Sequence, residues 1–275
     1  MDRRRFPANE RVAHGSLSGQ LEGVEFVPGH PLSVAVPVAD LRRHPDGPRE
    51  RQLLYGQTVT VLETLNGWSF VSSGPGDYVG YVSAGSLTQT DTAMHWVKAR
   101  ATHLYSAPDF KAAERHSLSL GSSLTVTGAS DSFLETRDGF VPKAHVWEVA
   151  KTYKDPVAVA ELLLGTPYLW GGNSVFGIDC SGLVQIGCRA CAIPCPGDSD
   201  MQQAELGVLL PDDAPLQRGD LLFWKGHVAW VADPDTLIHA NAFHMAVSYE
   251  PLHDAIQRIE AQGDGPVTAR KRLGG

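Results

Sequence analysis

The sequence has no uninterrupted apolar run of the ~18 residues that a membrane-spanning helix needs, so we expect no transmembrane segment. Its charged first ten residues are followed by no apolar stretch, so we expect no secretion signal and a cytoplasmic location. Positive charge is also scarce, because 23 Lys and Arg stand against 31 Asp and Glu, for a net charge of -8. This balance argues against binding nucleic acid or an anionic membrane and favours a small-molecule or peptide substrate.

Cysteine is scarce and confined to one stretch, at positions Cys180, Cys188, Cys191 and Cys195. In a cytoplasmic protein we expect these to be reduced thiols and not a disulfide framework. Cys188 and Cys191 have the spacing of a metal-binding pair, but both fall inside a predicted helix and no second CxxC pair exists. We therefore predict no metal site and no cofactor, and assign the three later thiols to helix packing.

The 275 residues are enough for two or three domains, and 43% hydrophobic with 20% charged residues is ordinary for a folded protein. Residues 1–33 have no clear periodicity, and we expect an extended arm. From residue 34 onward, short β-type runs alternate with turn residues such as Asn66-Gly67 and Pro75-Gly76-Asp77. This pattern predicts a small antiparallel barrel.

The β-type pattern occurs twice. Tyr55-Gly56 and the following Thr58-Val59-Thr60-Val61 are echoed by Leu120-Gly121 and Ser123-Leu124-Thr125-Val126. Two tandem units, 34–90 and 91–150, therefore precede the rest of the chain. They resemble bacterial SH3-like barrels, a fold used for binding peptides and cell wall.

A change of composition near residue 150 marks the next boundary and predicts a third domain over 151–275. Asp155-Pro156 reads as the start of a helix over 157–164, which Gly165 would end. A second helix is predicted over Ser181–Ala192, and Cys180 lies where a glycine-containing turn enters it. The positive end of the helix dipole favours a thiolate there, although a buried, inert thiol is the alternative.

Two strands with histidines follow this helix, Gly226–Val231 and Thr236–Asn241, which predicts an α+β domain. A neutral imidazole of His227 within reach of Cys180 would take the thiol proton. His239 and Asn241 share a strand face, and either could hold the second ring nitrogen of His227. The order cysteine, histidine, third polar residue is that of papain-like peptidases.

Five motifs occur in order between residues 150 and 260: Tyr168-Leu169-Trp170-Gly171-Gly172, Asp179-Cys180-Ser181-Gly182, Arg218-Gly219-Asp220-Leu221, Gly226-His227-Val228 and His239. Together they resemble the NlpC-type cysteine peptidases of bacterial cell-wall metabolism, which have a papain-like fold. The resemblance implies that Cys180 is the nucleophile, His227 the base and then the acid, and His239 the residue that orients His227. It also implies that Tyr168 borders the oxyanion site, with packing beside Trp170 as the alternative role.

Two barrels before such a domain resemble one subgroup, the γ-D-glutamyl-L-diamino acid endopeptidases, which cut murein peptides that have a free N-terminal L-Ala. The resemblance implies that carboxylates bind the substrate ammonium, because an isolated charge is costly away from water. The substrate-binding residues that it implies are Glu50, Tyr78, Asp179, Ser181, Asp198 and Ser199. Glu50 as a solvated charge cluster, Tyr78 as barrel packing and Asp179 as a turn residue are the alternatives.

We therefore predict a cysteine endopeptidase that hydrolyses the γ-D-Glu–diamino acid bond of free murein peptides in cell-wall recycling. Three alternatives stay open at this point. They are a hydrolase of intact peptidoglycan, a murein-peptide-binding protein without catalysis, and an acyltransferase with the same cysteine and histidine chemistry. The identity of the diamino acid and the oligomeric state are also open.

Overall fold

The structure is a computed structural model that describes residues 2–73 and 78–274, so the predicted turn Pro75-Gly76-Asp77 lies outside the described residues. The chain divides into two compact units, Met1–Ala150 and Lys151–Gly275. Within the described ranges, no helix is both long enough and apolar enough to cross a membrane.

The first thirty residues, predicted as an extended arm, contain regular elements of their own. Two 3₁₀ turns, Arg3–Arg5 and Gly15–Leu17, accompany β1 (Val12–His14) and β2 (Glu25–Val27), which pair in parallel. The next strand, β3 (His30–Val34), pairs with strands that come later in the chain. The apolar residues Val12 and Val27 pack in a cluster with Leu62 and Phe70, which holds this segment on the neighbouring sheet.

A seven-stranded antiparallel sheet follows, in the order β5-β4-β8-β7-β6-β3-β9. Asn66 and Gly67 both have positive φ, 51° and 80°, and join β6 to β7. This is the backbone that a two-residue hairpin turn requires, so the predicted Asn-Gly turn is confirmed. The strands not yet named are β4 (Val38–Arg42), β5 (Arg49–Leu54), β6 (Thr58–Leu65), β7 (Trp68–Ser72), β8 (Val79–Ser83) and β9 (Leu87–Gln89).

The second half of this unit repeats the strand order of the first. Its five-stranded sheet runs β12-β11-β16-β15-β14, which matches β5-β4-β8-β7-β6, and its three-stranded sheet runs β13-β10-β17. The two halves thus share one strand order, as the repeat predicts, and the strands of these three sheets pair antiparallel. The strands are β10 (His95–Val97), β11 (Ala101–Tyr105), β12 (Glu114–Ser119), β13 (Ser123–Leu124), β14 (Val126–Ala129), β15 (Phe133–Thr136), β16 (Gly139–Pro142) and β17 (Val146–Glu148).

The second unit combines helices with a six-stranded antiparallel sheet, in the order β20-β25-β21-β22-β23-β24, which confirms the α+β prediction. A π-type turn, Glu260–Asp264, continues the last helix. The elements are α1 (Pro156–Glu161), β18 (Asn173–Ser174), β19 (Gly177–Ile178), α2 (Cys180–Ala190), α3 (Ser199–Glu205), β20 (Val208–Leu209), β21 (Asp220–Trp224), β22 (His227–Asp233), β23 (Thr236–Asn241), β24 (Ala246–Pro251), α4 (Leu252–Ile259) and β25 (Ala269–Arg272).

Helix α2 is buried along almost its whole length between α1 and the sheet. A side chain at Gly187 would put its Cβ 2.9 Å from the carbonyl oxygen of Pro156, so this position permits the close approach of α1 and α2. The helix ends at Ala190, two residues before the predicted Ala192, because Ala192 has a φ of 58° and cannot continue a right-handed helix. The packing of α2 against α1 and the sheet thus fixes the position of Cys180 at its N-terminus.

Helix α4 packs on the sheet through Ala255 and Ile259, which join a buried cluster with Trp224, Ala229 and Leu237. Ala229 and Leu237 lie on the same sheet face as His227 and His239, because alternate residues of a strand share a face. The sheet therefore carries polar catalytic candidates at one end of a face that is otherwise apolar.

Candidate active site

Cys180 is the first residue of α2, one residue before the predicted helix start. Its side chain is buried, and it lies at the positive end of an eleven-residue helix. Asp179 is the N-cap, because its Oδ1 accepts from the backbone N–H of Gly182 at 2.6 Å. The dipole of the helix and its first backbone N–H groups therefore favour a thiolate on Cys180 and an oxyanion beside it.

Both carboxylate oxygens of Asp179 are used inside the turn. Oδ2 accepts from the N–H of Gly171 at 2.9 Å, and Oδ1 also accepts from the hydroxyl of Ser181 at 3.0 Å. Asp179 thus ties the glycine-containing segment before the helix to the helix start. The roles of Asp179 and Ser181 in binding substrate stay predictions.

His227 begins β22, directly after a turn at Gly226 that has a φ of 79°. The Sγ of Cys180 lies 4.0 Å from the carbonyl oxygen of Gly226, so the thiol sits beside the start of the strand that carries His227. Strand pairing sets His227 opposite Trp224, whose ring centroid is 5.7 Å from that of His227. Burial, followed by the neighbouring His239, lowers the pKa of His227, which keeps its imidazole neutral and able to accept a proton.

His239 supplies the partner for His227. Its Nδ1 lies 2.9 Å from Nε2 of His227, and its side chain is fully buried. Asn241, the alternative left open by the sequence, instead donates to Ser248 Oγ at 3.2 Å and accepts from the backbone N–H of His244 at 2.7 Å. The structure therefore joins His227 to His239.

Two charged residues that the sequence analysis did not single out lie behind His239. Nε2 of His239 is 2.9 Å from Oε2 of Glu250, and Arg258 donates to both oxygens of that carboxylate at 2.7 Å. In the register of β23 and β24, Glu250 pairs with Leu237 and Ser248 pairs with His239. The contact between His239 and Glu250 is therefore a diagonal one between these two strands. No local pattern reveals it, because a glutamate before Pro251 is typical of an exposed strand end.

Tyr168 lies half-buried on the segment that precedes the helix. Its backbone N–H donates to the carbonyl of Met245 at 2.9 Å, and it forms a bridge with Ile178, two residues before Cys180. Burial raises the pKa of Tyr168, and the nearby Cys180 and Asp179 raise it further. The phenol therefore keeps its proton and can donate a hydrogen bond beside the cysteine, although its place at the oxyanion site stays a prediction.

Asp198 and Ser199, predicted to contact the substrate, lie at the start of α3. Gln202 of this helix connects the segment to the cysteine helix. Its Nε2 donates to the carbonyl oxygen of Ser181 at 2.9 Å and to that of Pro196 at 3.0 Å. A buried amide with two such bonds fixes α3 relative to the first turn of α2.

Glu50 and Tyr78 lie in the first compact unit. Glu50 is on β5, and its carboxylate accepts from the guanidinium of Arg3, with Nη1 2.9 Å from Oε2. Hydrogen bonding to Glu50 raises the pKa of Arg3, and the nearby Tyr78 contributes to the same shift. The three residues are neighbours, and the joint role of Glu50 and Tyr78 with Cys180 stays a prediction.

The three later cysteines do not lie at the N-terminus of α2, where Cys180 lies. A hydrogen bond to Cys195, together with burial, raises the pKa of the Cys188 thiol, and burial raises that of Cys191 to about 11. Such thiols are poor nucleophiles at neutral pH. In the part of the chain that the structure describes, no group of three or more His, Cys, Asp or Glu residues is arranged to hold a metal ion.

Two family models match the chain. Residues 165–260 match the NlpC/P60 family, and residues 41–87 match the bacterial dipeptidyl-peptidase Sh3 domain. The first match contains the cysteine and both histidines described above, and the second contains Glu50 and Tyr78. The order of SH3-type domain and peptidase domain agrees with the prediction from the sequence.

Curated relatives extend the likeness over most of the chain. It is 27% identical over 232 residues to dipeptidyl-peptidase 6 of Lysinibacillus sphaericus, covering 74% of this chain and 85% of the relative. It is 28% identical to the gamma-D-glutamyl-L-lysine dipeptidyl-peptidase of Bacillus subtilis, covering 77% of this chain and 78% of that protein. A protein of the same name from Bacillus cereus is 36% identical over 107 residues, which are 36% of this chain and 32% of that protein.

Solved structures support the same fold. The crystal structure of an NlpC/P60 family protein from Bacillus cereus superposes with a TM-score of 0.73 at 21% identity, covering 89% of this chain and 99% of that one. An NlpC/P60 endopeptidase from Photobacterium damselae gives a TM-score of 0.57 at 14% identity, covering 88% and 71%.

Proposed function

The second unit of this cysteine peptidase carries an NlpC/P60 domain, and we propose from this premise which bond the enzyme cuts. The proposed bond is the γ-D-Glu–diamino acid amide of murein peptides that have a free N-terminal L-Ala. The names of two relatives, gamma-D-glutamyl-L-lysine dipeptidyl-peptidases, support this choice. A dipeptidyl-peptidase releases a dipeptide from a free N-terminus, which fits an L-Ala-γ-D-Glu product. The SH3-type domain over 41–87 supports it further, because the resemblance assigns ammonium binding to residues of that domain.

The observation that carries the proposal is the constellation around Cys180. A cysteine at the N-terminus of a helix lies beside a strand whose first residue, His227, contacts a second histidine at 2.9 Å. Nucleophile, base and orienting group in this order form the arrangement that activates a thiol for acyl transfer.

In the first step, His227 takes the proton of the Cys180 thiol, and the thiolate attacks the γ-carbonyl carbon of D-Glu. The carbonyl oxygen becomes an oxyanion, which backbone N–H groups at the start of α2 and the hydroxyl of Tyr168 would stabilise. His227 then gives its proton to the amine of the diamino acid as the carbon–nitrogen bond breaks. The amine leaves, and a thioester of Cys180 is left.

In the second step, water attacks the thioester while His227 takes one of its protons. The carbon–sulfur bond breaks, His227 returns the proton to the sulfur, and L-Ala-γ-D-Glu leaves with a free γ-carboxyl group. Acid–base catalysis of this kind contributes ~10²- to 10⁴-fold to a rate. The cycle uses no reagent other than water.

Substrate selection in this proposal involves Glu50 and Tyr78 for the ammonium of L-Ala, and Asp198 and Ser199 for the D-Glu end. It makes the protein an enzyme of murein-peptide recycling, which acts on small peptides. The cytoplasmic location belongs to the same proposal, and fractionation of the producing cells checks it.

The test measures how fast the wild-type full chain cleaves four peptides. They are L-Ala-γ-D-Glu-L-Lys and L-Ala-γ-D-Glu-meso-diaminopimelate, each with a free and with an acetylated N-terminus. Mass spectrometry of the products locates the cut bond. We expect cleavage of the free peptides only, and the ratio of the two rates identifies the diamino acid. Equal cleavage of free and acetylated peptides would overturn the recycling function and favour action on intact wall.

Cys180→Ala tests whether the chemistry lies where we propose. We expect this variant to lose measurable turnover, while Cys191→Ala, which removes a half-buried thiol of the same region, keeps it. Unchanged turnover in Cys180→Ala would overturn the mechanism. Formation of new amides when other amines are added would instead indicate an acyltransferase.

A further inference from the structure

The hydrogen-bonded chain of the active site does not end at His239. It continues to Oε2 of Glu250 at 2.9 Å and from both oxygens of Glu250 to Arg258 at 2.7 Å. Four consecutive side chains, from β22, β23, β24 and α4, thus form one line. The side chains of Glu250 and Arg258 are only 7% and 16% exposed, so water competes little for these bonds.

Glu250 is held in its ionised form. Burial by itself raises the pKa of this carboxyl, but hydrogen bonds from Arg258 and His239 outweigh it and lower the pKa to about 2. The guanidinium of Arg258 also lies over the ring of Phe243, 4.6 Å from the ring centroid. A carboxylate in this state can only accept hydrogen bonds.

An obligate acceptor at Glu250 sets the tautomer of each imidazole in turn. His239 must carry its proton on Nε2 to donate to Glu250, so its Nδ1 is an acceptor. His227 must then carry its proton on Nε2 to donate to His239, which leaves Nδ1 of His227 as the unprotonated nitrogen. That nitrogen is the one available to take a proton from Cys180.

We propose that Glu250, clamped by Arg258, is a positioning residue that fixes the tautomers of His239 and His227 and so makes Nδ1 of His227 the catalytic base. The inference rests on the proposed function of Cys180 and His227. Neither Glu250 nor Arg258 touches the reacting atoms, and both act through His239.

The same carboxylate serves when His227 carries the extra proton. The imidazolium stays hydrogen-bonded to His239, whose other nitrogen donates to an anion, so positive charge in the chain is compensated without water. Besides His227 and Glu250, the charged and titratable groups that face His239 are Arg258 and His244, which disfavour an added positive charge. Glu250 is therefore the group that offsets them.

The direct test is nuclear magnetic resonance of the histidine rings in ¹⁵N-labelled full-length Cys180→Ala at pH 7, a variant in which no thiolate can complicate the proton count. Long-range ¹H–¹⁵N spectra tell a protonated ring nitrogen from an unprotonated one. Loss of signals in His239→Asn and His227→Asn assigns the two rings. We expect Nε2 to be protonated and Nδ1 unprotonated in both, and a proton on Nδ1 of either ring would overturn the proposal.

Kinetics of Glu250→Gln supply the second test. The amide keeps the shape but has no charge and only one acceptor oxygen for three donor groups. We expect kcat on the free tripeptide to fall at least ~10-fold, as part of the ~10²- to 10⁴-fold that acid–base catalysis contributes, with KM nearly unchanged. A kcat equal to that of the wild type would overturn the proposed relay, the hydrogen-bonded chain from His227 through His239 and Glu250 to Arg258.

Glu161→Gln is the matched control, because Glu161 likewise accepts two hydrogen bonds from one arginine, from Nη1 and Nη2 of Arg218 at 2.8 and 2.9 Å. It lies outside the relay, and we expect its kcat and KM to match the wild type. If Glu250→Gln fails to fold by circular dichroism, the tautomers in Cys180→Ala still decide. An inactive Cys180→Ala with a fully active Glu250→Gln would defeat the relay alone, whereas an active Cys180→Ala would defeat the proposed function.

Discussion

The guanidinium of Arg3 is hydrogen-bonded to the carboxylate of Glu50, with Nη1 2.9 Å from Oε2. Glu50 is the residue for which we propose ammonium binding, so the structure already supplies its carboxylate with a cation from the same unit. The side chains are 46% and 17% exposed, and ion pairs near water are weak. A substrate ammonium can therefore share the carboxylate or displace Arg3 at a small cost.

Removing Arg3 is expected to strengthen the binding of free-amine peptides. Arg3→Ala leaves the carboxylate of Glu50 without its guanidinium, and we expect KM for L-Ala-γ-D-Glu-L-Lys to fall by up to about 5-fold, with kcat unchanged. Steady-state kinetics check this. A higher KM in Arg3→Ala would mean that Arg3 itself contributes to binding.

Arg11→Ala is the control for that experiment. Arg11 pairs with Glu63 in the same unit at 2.6 and 2.7 Å, and these side chains are 47% and 17% exposed, almost the values of the first pair. We expect kinetics like those of the wild type. A change as large as that in Arg3→Ala would assign both effects to general destabilisation.

Glu50 itself is expected to act on binding and not on the chemical step. Glu50→Gln removes the negative charge facing the ammonium, and hydrogen bonds to charged groups are worth ~1.5–3 kcal/mol, so KM for free-amine peptides should rise roughly 10- to 100-fold. We expect kcat to stay the same, and Glu63→Gln to leave both constants unchanged. An unaltered KM in Glu50→Gln would return Glu50 to a solvated charge cluster.

Two variants of Asp179 separate its structural role from its proposed role in binding substrate. Asp179→Ala removes the N-cap of α2, and we expect the free energy of unfolding to fall by about 1–2 kcal/mol. Asparagine is an equally good cap, so Asp179→Asn should cost less stability but lose the charge. If Asp179 also binds the ammonium, KM rises in Asp179→Asn for free-amine peptides, and an unchanged KM would leave it a cap alone.

The pair Arg258–Glu250 is expected to make stability depend on pH. The pKa of Glu250 is lowered from 4.5 to about 2 in the folded state, so its stabilisation is complete above pH 4.5 and is lost as the pH falls towards 2. We expect Arg258→Met to lose roughly 3–5 kcal/mol of unfolding free energy above pH 4.5, the cost of removing one partner of a buried ion pair. The gap to the wild type should narrow below that pH.

Urea unfolding at a series of pH values measures this gap. Arg218→Met is its control, because Arg218 pairs with Asp155 and Glu161 at the surface, where ion pairs contribute about 0–1 kcal/mol. A gap between wild type and Arg258→Met that does not change with pH would assign the loss to packing on Phe243 and not to the charge of Glu250.

Much of the fold follows from local patterns. Tyr55-Gly56 and Leu120-Gly121 occupy equivalent places in the two β units. This repeat predicted both units, because turns and strands depend on residues that are close together in the sequence. The Asn66-Gly67 turn and the start of α2 beside Cys180 were predictable for the same reason, within one residue. Residues 1–33 were harder, because β1 and β2 are short and are held by packing on a sheet that comes later in the chain.

The candidate site was predictable only where motif and spacing reveal it. Cys180, His227 and His239 could be named, but the choice between His239 and Asn241 depends on which side chain of β23 reaches His227 on the neighbouring strand β22. The contact of Gln202 with the carbonyl oxygen of Ser181 could not be predicted, because it joins two helices through residues that are 21 positions apart. Glu250 and Arg258 were missed because their contacts depend on the register of β23 and β24 and on the packing of α4, which residue spacing does not show.

The sequence by itself determined the repeat, the start of the cysteine helix and the chemical identity of the nucleophile and base, since these depend on side-chain type, local backbone preference and short spacing. Only the tertiary structure decided that His239 joins His227 and that Glu250 and Arg258 extend the line. The reason is physical: a hydrogen bond needs two atoms within about 3 Å in the right direction. For residues on three strands and a helix, strand register and helix packing set that distance, and neither is visible in the order of residues.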